Sequence, residues 1–207
     1  VSDRPSYPVA ARALLRDSLL DAAGDLMRER AWGSIPMAQI ARGAGVSRQT
    51  LYNEFGDRQG IAQAYVLREG DRLLSSAERA LAAHPGKPRQ ALEAALEAFL
   101  SEAAGNPLIA AMARSDGDGG GLLELVTTRG APVLAFATER VTAFLVDDWP
   151  GLPAGDARVL AESMVRLAIS HAALPTASPA KTAADLAHVL GPLLADVYAQ
   201  AESRRAA

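Results

Sequence analysis

Arg48, Gln49, Tyr52 and Asn53 stand close together inside the run GVSRQTLYNEF, from Gly45 to Phe55. In a helix beginning near Ser47 these positions share one face, and Leu51 and Phe55, four apart, form the opposite, apolar one. The polar face has the chemistry of base and phosphate recognition. An arginine fork fits guanine O6 and N7, Gln and Asn fit adenine edges, and each good pairing contributes ~1–3 kcal/mol of discrimination. Thr50 can touch a thymine methyl group or a phosphate, and Tyr52 is long enough to reach the backbone. Arg58, at the start of the next helix, joins its charge to the positive end of that helix's dipole and suits a phosphate. The bland alternative is a solvated polar surface, and the surrounding motif decides between the two.

The elements that must position this face are helical, and no alternating strand pattern is present. A first helix is expected over 8–30, with Leu15, Leu19, Ala22, Ala23, Leu26 and Met27 at three-and-four spacing and Gly33 ending it. Pro36 can open a short second helix at its first position, where no amide hydrogen is needed; Ile40 and Ala41 face inward. Gly45 supplies the positive φ of a turn, Val46 plugs the angle between helices, and Ser47 caps the third helix. The pair reads as a helix-turn-helix. Asp57 suits the cap of a long fourth helix to about residue 83, in which Gly60 and Gly70 are weak points. Further helices are expected over 89–104, 107–114, 122–129, 132–146, 154–173 and 181–201, separated by Gly-, Pro- and Asp-rich breaks.

Composition narrows the function classes. The chain has 207 residues, a net charge of −3 and no cysteine, so disulfides, thiolate nucleophiles and cysteine metal sites are excluded. Arginine far outnumbers lysine, which fits GC-rich coding better than phosphate recognition. No secretory leader and no run of ~20 apolar residues is visible, so a soluble cytoplasmic protein without membrane contact is expected. Three sharper readings fail. The Asp116–Asp118 segment lacks oxygen ligands where a calcium loop needs them, Asp147 and Asp148 are adjacent rather than opposed, and His84, His171 and His188 lack metal-ligand spacing. No catalytic residue, metal or cofactor is expected.

The first 65 residues resemble the DNA-binding domain of the TetR family of transcriptional regulators. The resemblance rests on Ala22-Ala23, Trp32-Gly33, Ile40-Ala41, the turn Ala44-Gly45-Val46-Ser47, then Leu51, Tyr52, Phe55, Arg58 and Ile61 in order and spacing. Pro36 departs from the usual Ser or Thr cap, Arg58 from the usual lysine, and Gln59 and Gly60 from acidic residues. The resemblance implies an all-α fold of about nine to ten helices. Residues 1–56 form a three-helix helix-turn-helix domain and 57–207 a helical ligand-binding and dimerisation domain. It implies double-stranded operator DNA as partner, bound through Ser47, Arg48, Gln49, Thr50, Tyr52, Asn53 and Arg58, with Arg16 as a further contact. Arg4 enters a minor groove or stays in solvent.

One such module covers few base pairs, so a homodimer on paired half-sites is expected. Leu160, Met164, Leu167 and His171 form one stripe, and Leu186, Leu190, Leu193 and Val197 another. A monomeric core would produce the same stripes; the resemblance implies a four-helix dimer interface. The middle helices would then enclose an effector site, for which Phe99, Met112, Leu122, Leu125 and Phe136 are candidates. Arg129 and Arg166 can pair a carboxylate, or pair on their own surface, as Arg166 with Glu162 four residues before it. Sparse polarity favours an apolar or amphipathic ligand such as a fatty acid or acyl compound. The stretches RGAPVLAFATERV and VRLAISHAALP are similar to a subgroup from high-GC bacteria linked to alkane, fatty-acid or lipid-export genes. The expected function is a ligand-responsive repressor of transcription; the alternative is a helical small-molecule carrier or enzyme that does not read DNA sequence.

Overall fold

The computed structural model describes residues 6–113, 122–126 and 130–206, and within them the chain forms helices and turns without a strand. The helices are α1 (Tyr7–Glu29), α2 (Met37–Gly43), α3 (Arg48–Phe55), α4 (Arg58–Ala82), α5 (Pro88–Ala104), α6 (Pro107–Ala113), α7 (Leu122–Val126), α8 (Ala131–Asp148), α9 (Ala154–Ala173) and α10 (Pro179–Ala206), with a 3-10 turn at Trp32–Ser34. The all-α architecture is that expected from the periodicity.

The chain leaves α1 at Arg30, whose backbone is extended, within a residue of the expected end. The turn that follows drives the Trp32 ring wholly into the core. Pro36 differs from the expectation: it is not the first residue of α2 but its extended cap, at φ −69° and ψ 138°.

The small N-terminal bundle is built around Leu19, Ala23, Met27, Trp32, Ile35, Ile40 and Leu51, all fully buried. The first turns of α4 belong to it through Ile61, Ala62, Tyr65 and Val66, and so do Leu108 and Ala111 of α6 and Leu122 and Leu125 of α7. The apolar core that holds the recognition helix therefore extends past residue 56 into the second half of the chain.

The larger bundle packs α5 against α10 and α8 against α9. Trp149, just beyond α8, meets Tyr198 of α10 edge to face at 5.3 Å. Arg140 of α8 joins the bundle to α4. Its guanidinium donates to both carboxylate oxygens of Glu78, at 2.6 and 2.7 Å, to Ser75 Oγ at 2.8 Å, and to Asp71. The hydrogen bond to Glu78 and the two carboxylate charges raise the Arg140 pKa further above its ordinary value, against the opposing effect of burial. No helix among the described residues is long and apolar enough to cross a membrane.

Candidate nucleic-acid interface and apolar cavity

The third helix is positioned by its two ends. Gly45 adopts φ +70°, as the turn requires, and Ser47 Oγ accepts a hydrogen bond from the Thr50 backbone N–H at 3.1 Å. At the far end Gly56 adopts φ +77°, and Asp57 Oδ1 accepts from Gly60 N–H at 2.8 Å to start α4. A Cβ on Gly60 would lie 1.9 Å from the Phe55 carbonyl oxygen, so a side-chain-free residue is what lets α4 begin directly against the end of α3.

Buried Leu51 and Phe55 turn the opposite face of α3 outward. There the polar residues pair one turn apart. Arg48 donates to Tyr52 Oη at 3.2 Å with its guanidinium 5.3 Å from the ring centre, and Gln49 Nε2 donates to Asn53 Oδ1 at 2.9 Å. Ser47 and Thr50 share a hydroxyl hydrogen bond of 2.9 Å at the start of the helix. These pairs align donors and acceptors along a helix edge without burying them, and such groups are free to exchange partners for base edges.

Two arginines expected at the DNA are directed inward. Arg58 donates to the carbonyl oxygens of Trp32 at 2.9 Å and Ile35 at 2.7 Å, and lies over the Trp32 ring. These bonds lock α4 to the α1–α2 corner, because a planar fork satisfies two carbonyls at once. Arg16 donates to the Glu54 carbonyl oxygen at 3.0 Å and stacks on Phe55, 4.4 Å from the ring centre. Arg12 reaches the Glu54 carboxylate at 2.9 Å. Both arginines thus fasten the C-terminal turn of α3 to α1. Nothing in the sequence marks Glu54 for this, since its partners lie 38 and 42 residues away. Arg42 is exposed, and Arg4 lies outside the described residues.

The second feature is a cavity of about 150 Å³ walled by α4, α5, α6, α8, α9 and α10. Phe99 and Phe136, two of the candidate effector-site residues, line it. Leu122 and Leu125 do not; they are buried in the N-terminal core, with α7 packed on both α4 and α8. Arg166 is also absent from the wall. It pairs with Glu162 at 2.7 Å on the exposed surface of α9. The Met112 side chain and Arg129 lie outside the described residues.

Beside the cavity two buried polar residues meet. Asn106 Nδ2 donates to Glu69 Oε2 at 2.9 Å, and Asn106 Oδ1 accepts the Leu108 N–H at 2.8 Å. One turn earlier on α4, burial and then the Glu69 charge push the Tyr65 phenol up to about 12.

The two stripes expected at a subunit interface divide. Leu160, Met164, Leu186, Leu190 and Val197 pack partly against their own chain, and Leu167 and His171 are half-buried. Leu193 is exposed, together with Val159 and Val189. Met164 turns inward far enough to line the cavity.

Comparison with known proteins finds two matching profiles. Residues 19–65 match the profile of bacterial regulatory proteins of the tetR family, and residues 88–192 match that of the bacterial tetracyclin repressor C-terminal domain. The chain is 41% identical over 193 residues to the HTH-type transcriptional regulator AlkX of Mycobacterium tuberculosis, covering 91% of this chain and 89% of that protein. The crystal structure of the TetR family repressor AlkX from Dietzia sp., implicated in biodegradation of n-alkanes, superposes with a TM-score of 0.78 at 35% identity, over 88% of this chain and 96% of the other. The HTH-type transcriptional activator FasR of Mycolicibacterium smegmatis is 37% identical over 84 residues, 41% of this chain and 38% of that protein. With both profiles matched and one relative aligned over most of its length, the chain belongs to the TetR family of DNA-binding transcriptional regulators, which are not enzymes.

Proposed function

We infer that the chain is a homodimeric repressor that binds a palindromic operator in the cytoplasm and leaves it when an apolar or amphipathic small molecule, such as a fatty acyl compound, fills the cavity. The observation that carries this reading is a shared wall. Val66 of α4 and Leu108 of α6 line the cavity, and both also belong to the core around the recognition helix. A ligand that displaces either residue changes the support of α3, and a ligand with different affinity for the two arrangements shifts their populations.

Base reading is assigned to Arg48, Gln49 and Asn53, with Ser47, Thr50 and Tyr52 at the backbone. Exposed Val159, Val189 and Leu193 on α9 and α10 supply the apolar surface for a second copy of the chain. Repression is favoured over activation because the relative named a repressor aligns with far more of this chain than the one named an activator.

The test is a gel shift of the full chain on its own upstream DNA, with and without a long-chain acyl compound. Binding should fall steeply with salt, and Gln49→Ala or Asn53→Ala should erase sequence preference while leaving most of the salt dependence. Absence of any sequence-preferring binding sinks the reading.

A further inference from the structure

The ligand class of the cavity can be narrowed, on the reading that this cavity is the effector site. Its wall is made of Leu, Val, Ile, Ala, Gly, Pro, Phe, Met and Trp side chains, and no described residue that lines it carries a titratable group. Among the described residues no charged side chain of the surrounding helices lines the cavity, and several are paired with one another. On α4, Glu69 meets Asn106 and Arg72, Arg68 meets Asp21, and Asp71 and Glu78 meet Arg140 of α8. On α9 Arg166 meets Glu162, and on α10 Lys181 meets Asp185. The Arg89 stem of α5 lies by Gly191, and Glu93, Glu97 and Glu102 of α5, Glu139, Asp147 and Asp148 of α8, and His171 of α9 are absent from the wall.

A carboxylate drawn into such a wall loses its water and meets no side-chain donor among the described lining residues, whereas the protonated acid loses far less. A hydrocarbon loses nothing. We propose that the cavity admits aliphatic chains only in uncharged form: alkanes, alcohols, and carboxylic acids as the protonated acid. A simple carboxyl group titrating near ~4.3 is neutral in about one molecule in 500 at pH 7, so the acid binds about 500-fold more weakly than the alcohol of equal length. Raising the pH by one unit weakens the acid by about tenfold and leaves the alcohol unchanged.

The experiment titrates the full chain with octan-1-ol, dodecan-1-ol and the matching fatty acids at pH 6, 7 and 8 by calorimetry. Ala168→Phe, which fills the cavity from α9, and the milder Ala77→Leu from α4 serve as controls. Alcohol binding that is flat with pH, acid binding that falls tenfold per unit, and loss of both in a filled variant are the expected results. An acid that binds at pH 8 as tightly as at pH 6 overturns the charge selectivity while leaving the effector site standing. Failure of both alcohols to bind, or unchanged binding in both folded variants, overturns the site itself and the proposal with it.

Discussion

Glu69 and Asn106, 37 residues apart and both buried, share a 2.9 Å hydrogen bond that ties the middle of α4 to the start of α6. Asn106 also caps α6 through its other side-chain atom. Replacing it with Leu removes the cap and leaves a buried carboxylate short of a donor. The expected loss is about 2–4 kcal/mol in urea unfolding. Asn106→Asp should be worse at neutral pH, where two carboxylates face each other, and should recover as the pH falls and one of them is protonated. A variant as stable as the parent would show that Arg72 and Arg68 satisfy Glu69 without it.

Tyr65 makes the fold sensitive to alkali. Burial and the Glu69 charge push its phenol up to about 12 from the ordinary 10.0, so the folded state favours the neutral form. That contribution is complete below pH ~10 and is lost as the pH rises through the folded value, a change of about 3 kcal/mol in all. Stability measured between pH 9 and 12.5 should show the decline, and Tyr65→Phe should flatten it.

Arg58 is expected to matter for stability more than for phosphate binding. Arg58→Gln removes donors to two backbone carbonyls and should cost about 1–3 kcal/mol. The slope of log affinity against log salt should stay as in the parent; a slope shallower by about one would show a direct phosphate contact.

Gly60→Ala places a methyl group against the Phe55 carbonyl oxygen. The joint between α3 and α4 must open, with about 1–3 kcal/mol of destabilisation and weaker operator binding. Gly70→Ala, a helix glycine with nothing within 4 Å of an added Cβ, is the control and should not destabilise the fold.

Much of this was legible in the sequence because it is local. The Ser47 and Asp57 caps, the Gly45 turn and the inward set of Leu51 and Phe55 follow from residues within one turn of each other. What the sequence hides is long-range pairing. Nothing near Arg16 and Arg58 in the sequence announces their bonds to the carbonyl oxygens of Glu54, Trp32 and Ile35. Asn106 reads as part of a loop break until Glu69 is placed beside it. Leu122 and Leu125 match the cavity lining in chemistry, and only the packing of α7 assigns them to the other core.

Val66 and Leu108 carry a cost for adaptation. Each is part of the vessel for one molecule and of the scaffold for another. On the proposed reading, a lineage that reshapes the cavity at these positions for a new inducer alters basal operator occupancy in the same step, so ligand range can drift more freely at the walls of α5 and α9, whose cavity residues lie outside that core. Directed evolution of this chain as a biosensor should find its separable mutations there.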